Sequence, residues 1–224
     1  MTLHPDRLFP PEDAERAIAR RLFKLVEALP IISPHGHTDP AWFSGNEAFA
    51  DAASLLIVPD HYIFRMLYSQ GVKLEALGVP ARDGSPVEKD PRKIWRLFAE
   101  HYYLFRGAPT RMWMDWVLSA VFGVTETLNG ETADRIFDRI SECLPQDDFR
   151  PRALFDRFNI EVLATTESPL DPLDHHRAIK ESGWNGRVIT AYRPDPVVDP
   201  DFEGFADNVA ELGEITKENT QNWR

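Results

Sequence analysis

Leu29-Pro30-Ile31-Ile32-Ser33-Pro34-His35-Gly36-His37 joins a helix-ending proline, a short apolar run and two histidines flanking one glycine. Two β-branched residues behind Pro30 read as a short buried strand. Side chains alternate along a strand, so positions i and i+2 share a face. With extended backbone through Gly36, His35 and His37 point the same way and offer imidazole nitrogens to one divalent ion. Two histidines are only part of such a shell, because zinc takes three or four ligands. Asp39 is near in sequence, but with Pro40 behind it the residue reads as the start of the next turn.

The chain has 224 residues, 43% hydrophobic and 27% charged, the balance of a soluble globular protein with a substantial core. No apolar run approaches the roughly 20 residues that cross a bilayer. The start, Met1-Thr2-Leu3-His4-Pro5-Asp6-Arg7, lacks the basic-then-apolar pattern of a secretory signal. A single cysteine, Cys143, excludes an intrachain disulfide framework and a cysteine-based zinc ribbon. These features point to the cytoplasm and to no membrane partner. The formal charge of −11 argues against a nucleic-acid partner. An anionic substrate would need a local arginine, lysine or metal to reverse that field.

Around the histidine stretch, the pattern predicts an amphipathic helix from Pro11 to Leu29, with Ile18, Leu22, Leu25, Val26 and Leu29 at helical spacing. From about Asn46 to Phe158 helix follows helix. Asp60 caps a helix that runs to Gln70 and stops at Gly71. Asp90-Pro91 opens a helix through Arg106. Thr110 to Val124 puts Trp113, Trp116, Val117, Ala120 and Val121 on one face, and the tryptophans of this block read as packing core. Glu131 to Leu144 and Pro151 to Phe158 are further helices, with Asn159 a left-handed cap.

Strand character returns at Ile160–Ala164, which ends in Thr165-Thr166-Glu167-Ser168, and at Arg187–Tyr192, which ends in Arg193-Pro194-Asp195. A helix from Pro172 to Ser182 lies between them, and Phe202 to Trp223 reads as a final helix or helix pair. Strands alternating with helices imply parallel pairing and an α/β fold, and each strand ends in ligand-capable residues, where such folds gather their active sites. Three strands do not close a barrel, and no closing signal follows at Asn219-Thr220-Gln221-Asn222-Trp223-Arg224.

In the Asp60-His61-Tyr62 segment, a histidine and a phenol occupy the first helical turn, where they can donate to an oxygen-rich ligand or shuttle a proton. His101 reads as structural, and His175 and His176 as surface or capping groups. Arg193 either pairs with Asp195 or clamps a carboxylate, for which a planar guanidinium is well suited.

Pro34-His35-Gly36-His37, the Asp60-His61-Tyr62 helix, Thr110-Arg111-Met112-Trp113-Met114-Asp115, Pro169-Leu170-Asp171-Pro172-Leu173-Asp174-His175-His176 and Tyr192-Arg193-Pro194-Asp195 together resemble the uronate (glucuronate) isomerase family. That family belongs to the amidohydrolase superfamily of metal-dependent eight-stranded (β/α) barrels. The resemblance implies a TIM barrel of the metal-dependent hydrolase type, of which this chain carries the first three strands, with a large helical insertion after strand 1. It divides the chain into residues 1–40 (helix and first strand), 41–158 (insertion) and 159–224 (second and third βα units).

The implied reaction is aldose–ketose isomerisation of D-glucuronate to D-fructuronate and of D-galacturonate to D-tagaturonate. By resemblance His35 and His37 are metal ligands, His61 and Tyr62 contact the reacting oxygens, and Arg193 binds substrate. The implied cofactor is one divalent ion, zinc first, with manganese or iron as alternatives. The implied partners are a hexuronate and further copies of the chain in a homo-oligomer. In the family an aspartate ligand and its partner arginine follow the last strand, so this chain is similar to an amino-terminal half. The alternatives are a metal-dependent hydrolase of the same superfamily and a fragment that binds ligand without turnover.

Overall fold

Parallel strands β1 (Ile31–Ser33), β2 (Ile160–Glu167) and β3 (Arg187–Tyr192) form a sheet in the order β1-β2-β3 in the computed structural model, which describes residues 3–216. Ile31 pairs with Ile160, Ser33 with Leu163 and Thr165 with Thr190. Parallel neighbours need long crossovers, and both crossovers here are helical. The helices are α1 (Asp13–Phe23), α2 (Pro40–Gly45), α3 (Ala52–Leu56), α4 (His61–Ser69), α5 (Pro91–Glu100), α6 (Pro109–Trp116), α7 (Ala133–Cys143), α8 (Pro151–Arg157), α9 (Asp174–Glu181), α10 (Asp195–Val198) and α11 (Phe205–Thr216). Of the helix or helix pair expected over Phe202–Trp223, the described residues hold α11, the short α10 lies ahead of that range, and the stretch past Thr216 lies outside the described residues. None of the described helices is long and apolar enough to cross a membrane.

Two compact units make up the chain: a helical unit, Met1–Glu27 with Ala48–Arg150, and a sheet unit, Ala28–Glu47 with Pro151–Arg224. Aspartates start the helices of the first. Asp51, Asp60 and Asp90 each accept backbone N–H bonds from the opening turn of α3, α4 and α5, satisfying donors that have no partner within the helix. Gly71, at φ +86°, ends α4 in the left-handed region where a Cβ is strained. The core is aromatic. Trp95, Phe98, Tyr102 and Phe105 are all but completely buried, with Phe98 centred 5.3 Å from Tyr102 and 5.6 Å from Phe105. Trp95 also donates Nε1–H to the Ala133 carbonyl at 2.9 Å, so its one polar atom is satisfied.

In the sheet unit, Leu163 of β2 packs with Phe43, Phe155 and Ile179, and Trp184 stacks on Phe43 at 5.7 Å. The turn into β2 uses Asn159 at φ +53°. Arg152 closes the points where the chain leaves and re-enters this unit. Its backbone N–H donates to Asn46 Oδ1 at 3.0 Å and its Nε to the Phe43 carbonyl at 2.8 Å.

Several expectations are corrected. The strand behind the histidines is not buried: Ile31 and Ile32 are 50% and 62% exposed, because β1 pairs on one side only among the described residues. Helix α1 stops at Phe23 rather than Leu29, and its apolar side chains Ile18 and Leu22 are exposed. In α6 and the π-helical turn after it, the buried face is Thr110, Met114, Leu118 and Val121; Trp116 is exposed, so it is not core. Those four recur at the helical spacing of three to four residues, and Trp116, two residues from both Met114 and Leu118, lies on the opposite side.

Candidate active site

The two histidines lie just past the end of β1, in extended loop rather than strand. Gly36 between them is drawn onto β2, its carbonyl accepting the Thr166 hydroxyl at 2.9 Å. A Cβ at position 36 would meet the Ala164 carbonyl at 3.4 Å, an ordinary van der Waals contact. Held this way, His35 Nε2 and His37 Nε2 converge to 3.1 Å with their rings edge to face. Two nitrogens each about 2.0–2.1 Å from one ion, at a near-tetrahedral angle, are roughly 3.3 Å apart. The pair therefore suits a shared divalent ion. Among the described residues no group of three or more His, Cys, Asp or Glu side chains is arranged to hold a metal, so these residues offer a two-nitrogen half-shell.

Beyond the histidines, Asp39 caps α2, accepting from Ala41 N–H at 2.8 Å with Pro40 at the first helical position. That is the turn-starting role its sequence suggests. A cavity of about 410 Å³ opens here, bounded by His37, Thr38, Asp39, Thr166, Glu167, His175 and Arg193. Its wall joins the ends of all three strands. Arg193 is largely exposed, with Nε 3.3 Å from Asp195 Oδ2. The pairing with Asp195 and a place on the cavity wall coexist, because a guanidinium carries five donors and this contact uses one. Arg193 stands beside three carboxylates of the wall, Asp39, Glu167 and Asp171. It is the cavity's arginine, and a bound anion would be oriented towards it.

His61 and Tyr62 belong to the helical unit. Asp60 caps α4 through Tyr62 N–H at 2.8 Å, which fixes the first turn and sends both side chains out from it. Their rings lie 4.2 Å apart, and Tyr62 is 66% exposed. His101 bonds the Leu97 carbonyl through Nδ1 at 2.8 Å, a structural role.

Of the two α9 histidines, His175 is exposed as expected and His176 is not. His175 bonds Ser44 Oγ at 2.9 Å and lines the cavity. His176 is not at the surface: its side chain is 13% exposed, with Nε2 2.9 Å from Thr165 Oγ1. Thr165 donates in turn to Glu167 Oε2 at 2.8 Å, and Thr190 donates to the same oxygen. Strand alternation puts Thr165 and Glu167 on one face from sequence alone. The parallel register that sets Thr190 beside Thr165 has no local signal.

A model of the family described as glucuronate isomerase matches residues 13–224. The chain belongs to the glucuronate isomerase family. Among its curated relatives, a uronate isomerase of Rhizorhabdus wittichii is 63% identical over 223 residues, which is 100% of this chain and 47% of the relative. One from Mesorhizobium japonicum is 64% identical over 219 residues, 98% of this chain and 47% of its own length. The crystal structure of glucuronate isomerase from Caulobacter crescentus superposes with a TM-score of 0.93 at 56% identity, covering 100% of this chain and 46% of the other. That of Thermotoga maritima uronate isomerase gives 0.84 at 30% identity, covering 98% and 46%. The chain spans about half the length of the curated relatives it matches.

Proposed function

We propose that the whole protein is a cytoplasmic, homo-oligomeric aldose–ketose isomerase of hexuronates, to which this chain contributes the first three strands of an eight-stranded (β/α) barrel. D-Glucuronate would become D-fructuronate, and D-galacturonate D-tagaturonate. The observation that carries the reading is the convergent pair His35 and His37 beside a cavity that also holds Arg193. An ion-binding end and a carboxylate-binding end match a substrate with a carbonyl at C1 and a carboxylate at C6.

In the isomerisation the proton on C2 leaves and is returned to C1, while the hydroxyl proton of O2 passes to O1. Between these states lies an enediol(ate) with negative charge on oxygen. When bound by His35 and His37, a divalent ion, zinc or else manganese or iron, supplies Lewis-acid stabilisation of that charge. Tyr62 donates its phenol proton in a hydrogen bond to the charged oxygen, and His61 carries the hydroxyl proton between O2 and O1. Arg193 holds the substrate carboxylate by charge-assisted hydrogen bonds and offsets the negative field of the chain.

The test follows ketose formation from D-glucuronate in the full protein as its gene encodes it, alongside a panel of amide and ester substrates. His61→Asn and Tyr62→Phe are each expected to lower kcat about a hundredfold, the usual scale for a positioned acid–base group. Turnover near that of the unsubstituted protein in both variants would sink the two roles. Hydrolysis of the panel without ketose formation would replace the isomerase by a hydrolase.

A further inference from the structure

At the β2 end, behind the cavity wall that Glu167 helps to form, Thr165, Glu167, His176 and the exposed Thr190 make a polar group that the isomerase roles above leave unused. Leu163 packs against Phe43, Phe155 and Ile179 of the covering helices. Two and four residues on, Thr165 and Glu167 lie on that same face. Thr165 is completely buried and the Glu167 side chain is 9% exposed. A buried carboxylate is costly unless hydrogen-bonded, and this one accepts from Thr165 and Thr190, the register partners on β2 and β3.

Thr165 Oγ1 stands at the centre, 2.8 Å from Glu167 Oε2, 2.9 Å from His176 Nε2 and 3.2 Å from the Ile189 carbonyl. A threonine hydroxyl has one proton, and a carboxylate only accepts. When Thr165 donates to Glu167, its oxygen is free to accept from His176 Nε2. The buried Nδ1 of His176 has no hydrogen-bond partner among the described residues. Thr190 joins from β3. One carboxylate thus ties β2, β3 and α9 together at the strand ends.

The same short segment touches both ends of the cavity. Thr166, adjacent to Glu167 and facing the other way, holds the carbonyl of Gly36 between the two histidines at 2.9 Å. The Glu167 carbonyl accepts the backbone N–H of Arg193 at 3.2 Å. We propose that Glu167 is a positioning residue: its carboxylate, locked from behind by Thr165, Thr190 and His176, sets where Arg193 stands relative to the His35-Gly36-His37 loop. This assignment rests on the isomerase reading, since it concerns the span between a carboxylate clamp and an ion-binding pair.

The acceptor oxygen is what the lock needs, so removing it and restoring it differ. In the full protein, Glu167→Ala is expected to raise KM for D-glucuronate 10- to 100-fold, the range for lost hydrogen bonds to a charged group, with kcat changed less than 5-fold. Glu167→Gln keeps an acceptor for both threonines and is expected to stay within about 3-fold of the parent. Thr190→Val, which leaves the carboxylate in place, is expected to raise KM about 3- to 10-fold. The decisive readout is the preference for D-glucuronate over its neutral uronamide. A displaced Arg193 loses that preference in Glu167→Ala, whereas a purely structural residue reduces the yield of folded protein and leaves the preference intact. An unchanged preference in Glu167→Ala, or in Thr190→Val should the first variant not fold, overturns the proposal. If the unsubstituted protein forms no ketose, the isomerase reading falls and the positioning role with it; if it does and the variants keep their preference, only the positioning role falls.

Discussion

The helical unit and the sheet unit spend their residues differently. In the first, a dry aromatic ladder from Trp95 to Phe105 is sealed, and its polar groups sit at helix ends. In the second, the apolar cluster is small, β1 exposes its isoleucines, and polar groups gather at the strand ends and inside the β2–β3–α9 contact. One region is built from transfer of apolar surface out of water. The other gives up part of that gain to hold side chains where a ligand can meet them. Stability and chemistry therefore respond to different substitutions in the same chain.

The largest expected effect separates the two. In the full protein, on the isomerase proposal, His35→Ala removes half of the nitrogen pair and should lower ketose formation about a thousandfold, a loss of several kcal/mol of charge stabilisation. Its unfolding free energy should change by no more than about 0.5 kcal/mol, as for other surface changes. Bound metal measured by atomic emission should fall with activity, and a chelator should produce the same loss in the parent. A large drop in stability with metal content intact would break the comparison.

The converse is Trp95→Ala, which empties the centre of the ladder and leaves the Ala133 carbonyl without its donor. The expected cost is about 3–5 kcal/mol, a large fraction of the 5–15 kcal/mol typical of a whole domain. Urea unfolding followed by circular dichroism measures it. A cost under 1 kcal/mol would mean that the ladder is not what holds this unit.

A smaller effect depends on pH. Burial, then the hydrogen bond and the charge of Asp115, hold the Tyr102 phenol above its ordinary value of 10.0. Tyr102 donates to Asp115 at 2.8 Å, and Arg111 pairs with the same carboxylate while lying 4.1 Å over the Tyr102 ring. The unfolded chain loses this proton near pH 10 and the folded chain only at higher pH. The stabilisation is complete below pH 10 and is lost as pH rises from there towards the raised folded value. Tyr102→Phe should cost about 1–2 kcal/mol at neutral pH and flatten the alkaline limb of a stability–pH curve. An alkaline limb identical to the parent's would assign it to another group.

Local chemistry was legible in the sequence. Asp60 and Asp90 announce their helices, Asn159 its left-handed turn, and the runs at 160–164 and 187–192 their strands, because each depends on neighbours a few residues away. Exposure was less so. The β-branched pair Ile31-Ile32 reads as buried whichever partners a strand has, and only the sheet order decides how much of it faces water. Trp116 reads as core, but the buried face runs through Met114 and Leu118, two residues to either side of it, which turns Trp116 outward. Of the candidate site, the convergence of His35 and His37 was expected from strand alternation, but the strand ends at Ser33 and the pair meets in the loop that Thr166 bonds at Gly36. Glu167 and His176 were missed as a cluster because it requires the β2–β3 register and the docking of α9, both contacts between distant residues.

The hydrogen bonds of Arg152 to Asn46 and Phe43 have a consequence for how the chain comes to be assembled. They bring together the two ends of everything between residues 47 and 151, so that long segment is a closed loop in topological terms. Loop-closure entropy grows only as the logarithm of length, with each doubling adding about 0.6 kcal/mol. The segment can therefore be long at little cost to β1 and β2, which pair as though they were near neighbours. During synthesis β1 emerges early and waits through the whole insertion for Ile160 to arrive. Its two exposed isoleucines spend that interval without β2 beside them, which leaves β1 open to wrong pairing before β2 is made.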